Sequence, residues 1–272
     1  MPNGYTAFIS HNERLETNVQ GPGTVDVMGD EVIVVDTNWN VVWSWNAFDW
    51  LPVNRKAILG ETCTACGAGS SRCCPITLAS TANDWLHCNS LAYDSTDGNL
   101  ILSVRSQDWV VKIAYQDGTG DGHLVWTLGN QGNFTMLNTP QISNPWFSHQ
   151  HDVEIQATAN PKLIMLFDNG NTRHASNSSS KSSGQVISID ENTLIADIYL
   201  NYDFSVYSPA YGTAQILDNG DYWFLAGDLQ NDVEAAQAVE LTPSGFAGTS
   251  NYTIEYATPS YRSVRMSSLT AY

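Results

Sequence analysis

The 272-residue chain carries 28 acidic against 11 basic side chains, a formal charge of −17 although only 14% of residues are charged. So few cations leave nothing to neutralise a phosphate backbone or an anionic bilayer, which argues against nucleic acid and membrane surfaces as partners. A content of 42% hydrophobic and 11% aromatic residues, with 9 Trp and 12 Tyr, excludes a disordered acidic polymer.

Helical periodicity is almost absent. An Asn-Gly turn at Pro2-Asn3-Gly4 leads into a strand reaching Ser10, and a hairpin with apolar arms at 31–36 and 41–45 follows. Residues 60–80 then interrupt the pattern with a Gly/Ser/Thr-rich insertion containing Cys63, Cys66, Cys73 and Cys74. That density suits a disulfide-stapled loop in an oxidising compartment. Cys63-x-x-Cys66 also fits half of a zinc site, but the adjacent Cys73-Cys74 pair suits tetrahedral ligation poorly. Disulfides are therefore preferred, with their connectivity open and Cys88 left as the unpaired thiol.

A phrase of four strands then repeats. Each begins with a polar-headed strand (87–93, 151–155, 211–217). A turn and a hydrophobic strand follow (97–103, 160–168, 218–226), and then a hairpin (109–114 with 123–128, 185–190 with 194–200, 236–241 with 252–257). Turns near 3, 98, 161 and 219 lie 95, 63 and 58 residues apart, and the first interval holds the Cys-rich insertion. Four-stranded units repeated in this way predict an all-β fold, a β-propeller of antiparallel blades with four repeats in one domain over 1–272. The first repeat lacks its opening strand. Residues 261–266 (Tyr261-Arg262-Ser263-Val264-Arg265-Met266) stand where a further one would begin, and either close the ring or mark the C-terminal portion of a longer propeller.

No apolar run approaches the roughly 20 residues of a spanning helix, so no membrane insertion is expected. The N-terminus lacks the basic and apolar regions of a secretory leader, so export would require one upstream. Sequons at Asn133, Asn177 and Asn251, like the cysteines, are compatible with a secreted, extracellular or periplasmic glycoprotein.

In a propeller the inner strands and the loops joining them line the centre. Asp84-Trp85-Leu86-His87-Cys88-Asn89-Ser90 and Trp146-Phe147-Ser148-His149-Gln150-His151-Asp152-Val153-Glu154 put His87 and His151 at equivalent places of successive repeats. Leu166-Phe167-Asp168-Asn169-Gly170-Asn171-Thr172-Arg173 adds one of only 7 Arg. These phrases, with the closing Tyr-Arg-Ser-Val-Arg-Met, resemble the arylsulfotransferase family of β-propellers over nearly the whole chain outside the insertion. The resemblance implies a six-bladed fold, outside the cytosol, that moves a sulfuryl group between phenols through a sulfated His without a nucleotide donor. Carried over by motif, His87 and His151 are acid/base or oxyanion-stabilising groups and Arg173 is the sulfuryl clamp.

The residue types suit that chemistry. Cations and donors stabilise the negative oxygens of a sulfuryl group in flight, imidazoles serve as nucleophile and proton carrier, and aromatic side chains hold the aryl rings. Trp85 and Phe147, beside the His strands, and Tyr211 with His149 are assigned to substrate binding. The chain departs from the family at the sulfate-accepting His, expected on the first strand of a later repeat. Residues 208–215 contain none, and no His follows His174. Three readings follow: His151 or His149 is the nucleophile, Tyr211 receives the group, or the scaffold has lost the reaction and serves as an extracellular binding or self-assembling module.

No cofactor is implied. His149-x-His151 would present two imidazoles to one ion if both lay on a strand, but no metal is assigned, because no further ligand lies at suitable spacing. The acidic turns at 94–98 and 117–122 are read as solvated Asp-Gly turns rather than calcium loops, and the Ser-rich tract 178–183 as a loop.

Overall fold

A computed structural model describes residues 1–66, 74–137, 142, 144–230 and 235–266. Its strands make four sheets. The first contains β1 (Thr6–Thr17), β2 (Thr24–Val35), β3 (Val41–Asn46), β4 (Thr62–Thr64) and β5 (Thr81–Asp84). The second is the meander β6 (Cys88–Asp94), β7 (Asn99–Val104), β8 (Trp109–Ile113) and β9 (Leu124–Gly129). The third holds β10 (Thr135–Met136), β11 (His151–Gln156), β12 (Lys162–Asp168), β13 (Ser183–Asp190) and β14 (Ile195–Asp203). The fourth is the meander β15 (Thr213–Ile216), β16 (Tyr222–Ala226), β17 (Ala236–Thr242) and β18 (Thr249–Tyr256). Short helices α1 (Ala47–Trp50) and α2 (Asn171–Ser176) connect strands of the first and third sheets. No helix among the described residues is long and apolar enough to cross a membrane.

The continuous apolar runs arise because the middle sheets are covered on both faces. Successive side chains of a strand point to opposite faces. Leu100, Leu102 and Val104 of β7 thus pack with Val32, Val34, Trp45 and Trp85 of the first sheet and its flanking loop. Ile101, between them in sequence, joins Trp126, Ile164, Leu166 and Ile187 on the other side. In β12 the same alternation sends Met165 and Phe167 toward Leu200, Phe224, Val239 and Leu241. The four sheets therefore stack in chain order, with an apolar layer between each neighbouring pair.

Close approach of the third and fourth sheets depends on Gly184 in β13, where an added Cβ would lie 2.5 Å from the Phe224 ring. We expect Gly184→Ala to cost about 1–3 kcal/mol through overpacking. The effect should appear as a lower urea midpoint at unchanged m-value, whereas an unchanged midpoint would argue against this packing.

The described part of the insertion contains β4, and β5 follows it directly and runs parallel to β2 at Val27 and Met28. A disulfide joins Cys63 to Cys74, Cys88 is a free thiol, and Cys73 lies outside the described residues. The paired strands β1 and β2 extend to 12 residues each to meet this addition.

Inner edges of successive sheets are joined by side chains that accept from backbone N–H groups left unpaired at strand edges. Asp30 accepts from Cys88 N at 2.8 Å, and Ser90 Oγ from Val153 N at 2.8 Å. Asp152 accepts from Ala214 N at 3.1 Å, and Glu154 from Ile216 N at 2.9 Å. The C-terminal segment continues the series: Thr213 Oγ1 accepts from Ser263 N at 3.0 Å and Gln215 Oε1 from Arg265 N at 2.8 Å. Residues 261–266 thus lie against β15 much as β15 lies against β11. Among the described residues they form no regular strand and bond to no residue of the first sheet, so the ring-closing alternative has no strand there.

Away from these edges, Lys112 of β8 is buried with its ammonium 2.8 Å from Asp94, 2.6 Å from Asp97 and 2.5 Å from Glu191. Lys162 adds contacts of 2.7 Å to both Asp94 and Glu191. This network bridges the second and third sheets. It also occupies the cluster of Asp94, Asp97 and Glu191, whose carboxylate geometry would otherwise suit a cation. The second acidic turn is satisfied internally, with Asp117 accepting from Tyr93 and Asp121 paired to His123.

Candidate functional site

β11 begins at His151, which is buried and paired with Phe167 at the end of β12. Its Nδ1 lies 2.7 Å from Asn169 Oδ1. Asn169 is oriented by its amide nitrogen, which donates to the carbonyls of Ser208 at 2.8 Å and Tyr211 at 2.9 Å. Because that nitrogen must face two acceptors, the amide oxygen must face the imidazole, and Nδ1 carries the proton. The lone pair is therefore on Nε2, which bonds to nothing among the described residues. Burial, with the positive charge of Arg105 behind it, pushes the His151 pKa down to about 3, so the ring is neutral at ordinary pH.

His151 has a consequence for stability. Its folded pKa is below the unfolded value of 6.5, so its contribution is complete above pH 6.5 and is lost as pH falls toward about 3. Within that window the unfolding free energy should fall by up to about 1.4 kcal/mol per pH unit from this residue alone. Urea titrations of wild type and His151→Gln should converge as pH drops from 6.5 to 4; a constant difference would show that the imidazole is not buried neutral.

His87 precedes β6 in a left-handed conformation, φ 50°. Its ring is half-exposed, and Nδ1 lies 2.6 Å from Asp84 Oδ2. The carboxylate can only accept, so Nδ1–H donates to it and Nε2 is left to exchange protons. The charge of His87 acts on His151, so the structure brings these two predicted residues into one electrostatic centre.

His149 occupies a different setting. The strand starts only at His151, and His149 adopts a left-handed φ of 53°, which breaks the alternation on which a shared metal pair depended. Its Nε2 meets Glu61 and its Nδ1 lies 2.8 Å from Asp108. Burial disfavours its charge, but the two carboxylates outweigh burial and raise the pKa. With both nitrogens held by carboxylates, His149 buttresses the site and has no free atom for substrate or for an ion shared with His151.

Arg173, on α2, is partly engaged. Its guanidinium lies 2.5 Å from Asp168 and 2.9 Å from the carbonyl of Trp146, while Asp168 accepts from Ser148 N at 2.9 Å. These bonds fix the segment leading to His149 and His151. Trp85 and Phe147 are each 1% exposed, and their rings pack between sheets rather than facing a substrate. Tyr211 is 37% exposed, and its ring meets that of Tyr261 edge-to-face at 5.3 Å.

Sequence reasoning missed Asn169, Glu61 and Arg105, and gave Arg262 to a closing strand. The Arg262 guanidinium lies over Tyr261, 4.6 Å from the ring centroid, bonds the carbonyls of Gly212 and Asn89, and sits 3.4 Å from Asp152. One side chain thus ties the inner edges of three sheets beside His151. Asn169 and Arg105 lie within the quoted repeats, but only the fold reveals their partners; Arg262 is 173 positions from Asn89.

The resulting centre combines a neutral imidazole with a free nitrogen, a second imidazole oriented by a carboxylate, two guanidinium groups and exposed tyrosines. It is equipped for nucleophilic transfer of an anionic group. The sequence model of the family described as Arylsulfotransferase (ASST) matches residues 1–262, and the chain belongs to that family. No curated protein matches it.

Proposed function

We propose that this member of the arylsulfotransferase family transfers a sulfuryl group from an aryl sulfate to a phenol, without a nucleotide donor, by way of His151 Nε2. Family membership supports a sulfotransferase-like function with aryl or phenolic substrates. The observation that carries the choice of residue is the Asn169 hydrogen bond, which leaves His151 uncharged with its lone pair on a free Nε2. This answers the missing later His of the family pattern with a nucleophile already present on β11.

In the first half-reaction Nε2 attacks sulfur, the S–O bond to the aryl group breaks, and the leaving phenolate takes a proton from Nε2 of His87. In the second, an acceptor phenol gives its proton to His87 and attacks sulfur, and the S–N bond breaks. His87 begins the cycle protonated and ends it so. Asp84 keeps its ring oriented throughout. Tyr211 and Tyr261 offer the aromatic surface for the aryl groups.

We further read the four stacked sheets as blades of a propeller in a single domain. The Cys63–Cys74 disulfide supports a secreted or periplasmic setting. The functional test is incubation with a chromogenic aryl sulfate with and without a phenol acceptor. Phenol release matched by acceptor sulfation supports transfer, and no release above background by the folded protein would favour a non-catalytic binding module.

A further inference from the structure

Arg105 opens the 3-10 turn Arg105–Gln107 after β7. That turn is held from several sides: Ser106 N donates to Leu86 O at 2.9 Å, Ser106 O accepts from Ile58 N at 2.9 Å, and the Gln107 amide donates to Trp85 O at 2.7 Å. Its backbone is anchored, yet among the described residues the guanidinium has no hydrogen-bond partner and no carboxylate within ion-pair distance. The other described arginines are all bonded: Arg14 to Asp49, Arg55 to Gln107, Arg173 to Asp168, Arg262 to Asn89 and Arg265 to Glu240.

Arg105 is also at the centre by geometry: Val104 before it pairs with Cys88, the residue after His87, and Asp108 at the end of its turn lies 2.8 Å from His149 Nδ1. Its charge bears on His151, His149, Glu61 and Tyr207. The neighbouring carboxylates already have partners, Glu61 and Asp108 on His149 and Asp84 on His87. Hence, among the described residues, no carboxylate ion-pairs directly with the guanidinium, and its five N–H donors in a planar fork remain available.

We propose that Arg105 grips the oxygens of the transferable group, adding a second guanidinium to that of Arg173 in an oxyanion subsite beside His151 Nε2. The identity of the oxyanion as a sulfuryl group rests on the transfer reading above. A guanidinium fork matches two oxygens of such a group, and among the described residues all of Arg105's donors are free for it, whereas two of the five N–H groups of Arg173 are held by Asp168 and the Trp146 carbonyl. Arg173 also positions the segment that carries His151.

Inorganic sulfate is the probe, titrated calorimetrically into wild type, Arg105→Lys and Arg105→Gln. Wild type should bind it, Arg105→Lys should bind more weakly, and Arg105→Gln should lose at least tenfold in affinity with thermal unfolding little changed. Phenylglyoxal labelling of wild type, mapped by peptide mass, provides a variant-free measurement in which sulfate should shield Arg105. Equal affinity of folded wild type and Arg105→Gln, or labelling of Arg105 unaffected by sulfate, would overturn the subsite. Transfer by a wild type that binds sulfate independently of Arg105 would overturn the subsite and leave the transfer reading standing. Sulfate binding that depends on Arg105 in a protein inactive toward aryl sulfates would support the subsite and remove the transfer reading.

Discussion

Replacing Lys112 with methionine is expected to lower the unfolding free energy by about 3–5 kcal/mol, the range for breaking a buried ion network from one side. The ammonium is 1% exposed and is the central partner of Asp94, Asp97 and Glu191. Methionine keeps most of the stem volume but leaves three carboxylates together with only Lys162 to oppose them. Burial by itself would raise the Asp94 pKa, and the two lysines reverse this and hold it well below the usual range. The contribution of Asp94 is therefore complete above its unfolded value of 3.8 and is lost as pH falls through the depressed folded value. In Lys112→Met some of the lost stability should return on acidification toward pH 4, as the crowded carboxylates protonate. Urea unfolding at pH 7 and pH 4 measures both effects, and a loss below about 1 kcal/mol at pH 7 would show that the network is surface-like.

The second large effect concerns His151. His151→Ala should reduce sulfuryl transfer by about a thousandfold or more, the scale associated with removing a covalent nucleophile, while the protein remains folded. Asn169→Asp is the sharper variant. It replaces the amide acceptor with a carboxylate 2.7 Å from Nδ1, which favours the imidazolium and should raise the His151 pKa from about 3 toward neutrality. Transfer by wild type should show no fall attributable to His151 between pH 7 and 5, whereas the variant should lose activity across that range as Nε2 becomes protonated. Identical pH profiles would show that Asn169 does not set the state of the ring.

The strand repeats were legible because alternation and Asn-Gly or Asp-Gly turns are local. Continuous runs such as 99–104 signalled burial on both faces, and the structure supplies a sheet on each side of β7. The additions to the first and third sheets were not legible. β5 and β10 are short and pair in parallel with strands distant in sequence, so no turn announces them. At the site, the matching register of His87 and His151 is repeated in the structure, where one precedes β6 and the other opens β11. The metal pair considered for His149 and His151 rested on strand alternation extending two residues too far. Trp85 and Phe147 were placed by adjacency to His, but their side chains point into the layers between sheets. Arg173 is assigned by the family motif alone, and the sequence gives no sign that its guanidinium also bonds Asp168, five residues earlier. Arg105 was passed over because a lone Arg after an apolar strand has no motif; its distinction is the absence of a partner among the described residues, a property visible only in three dimensions.

The most direct test is to mix the protein with an aryl sulfate alone, quench into base to protect an S–N bond, and map the attached sulfuryl group by peptide mass. A burst of phenol equal to the enzyme present, with one sulfuryl group on the His151 imidazole that disappears on adding a phenol acceptor, is the predicted result. A sulfuryl group on Tyr211 or His149, or steady transfer with no labelled His151 at any quench time, would contradict it.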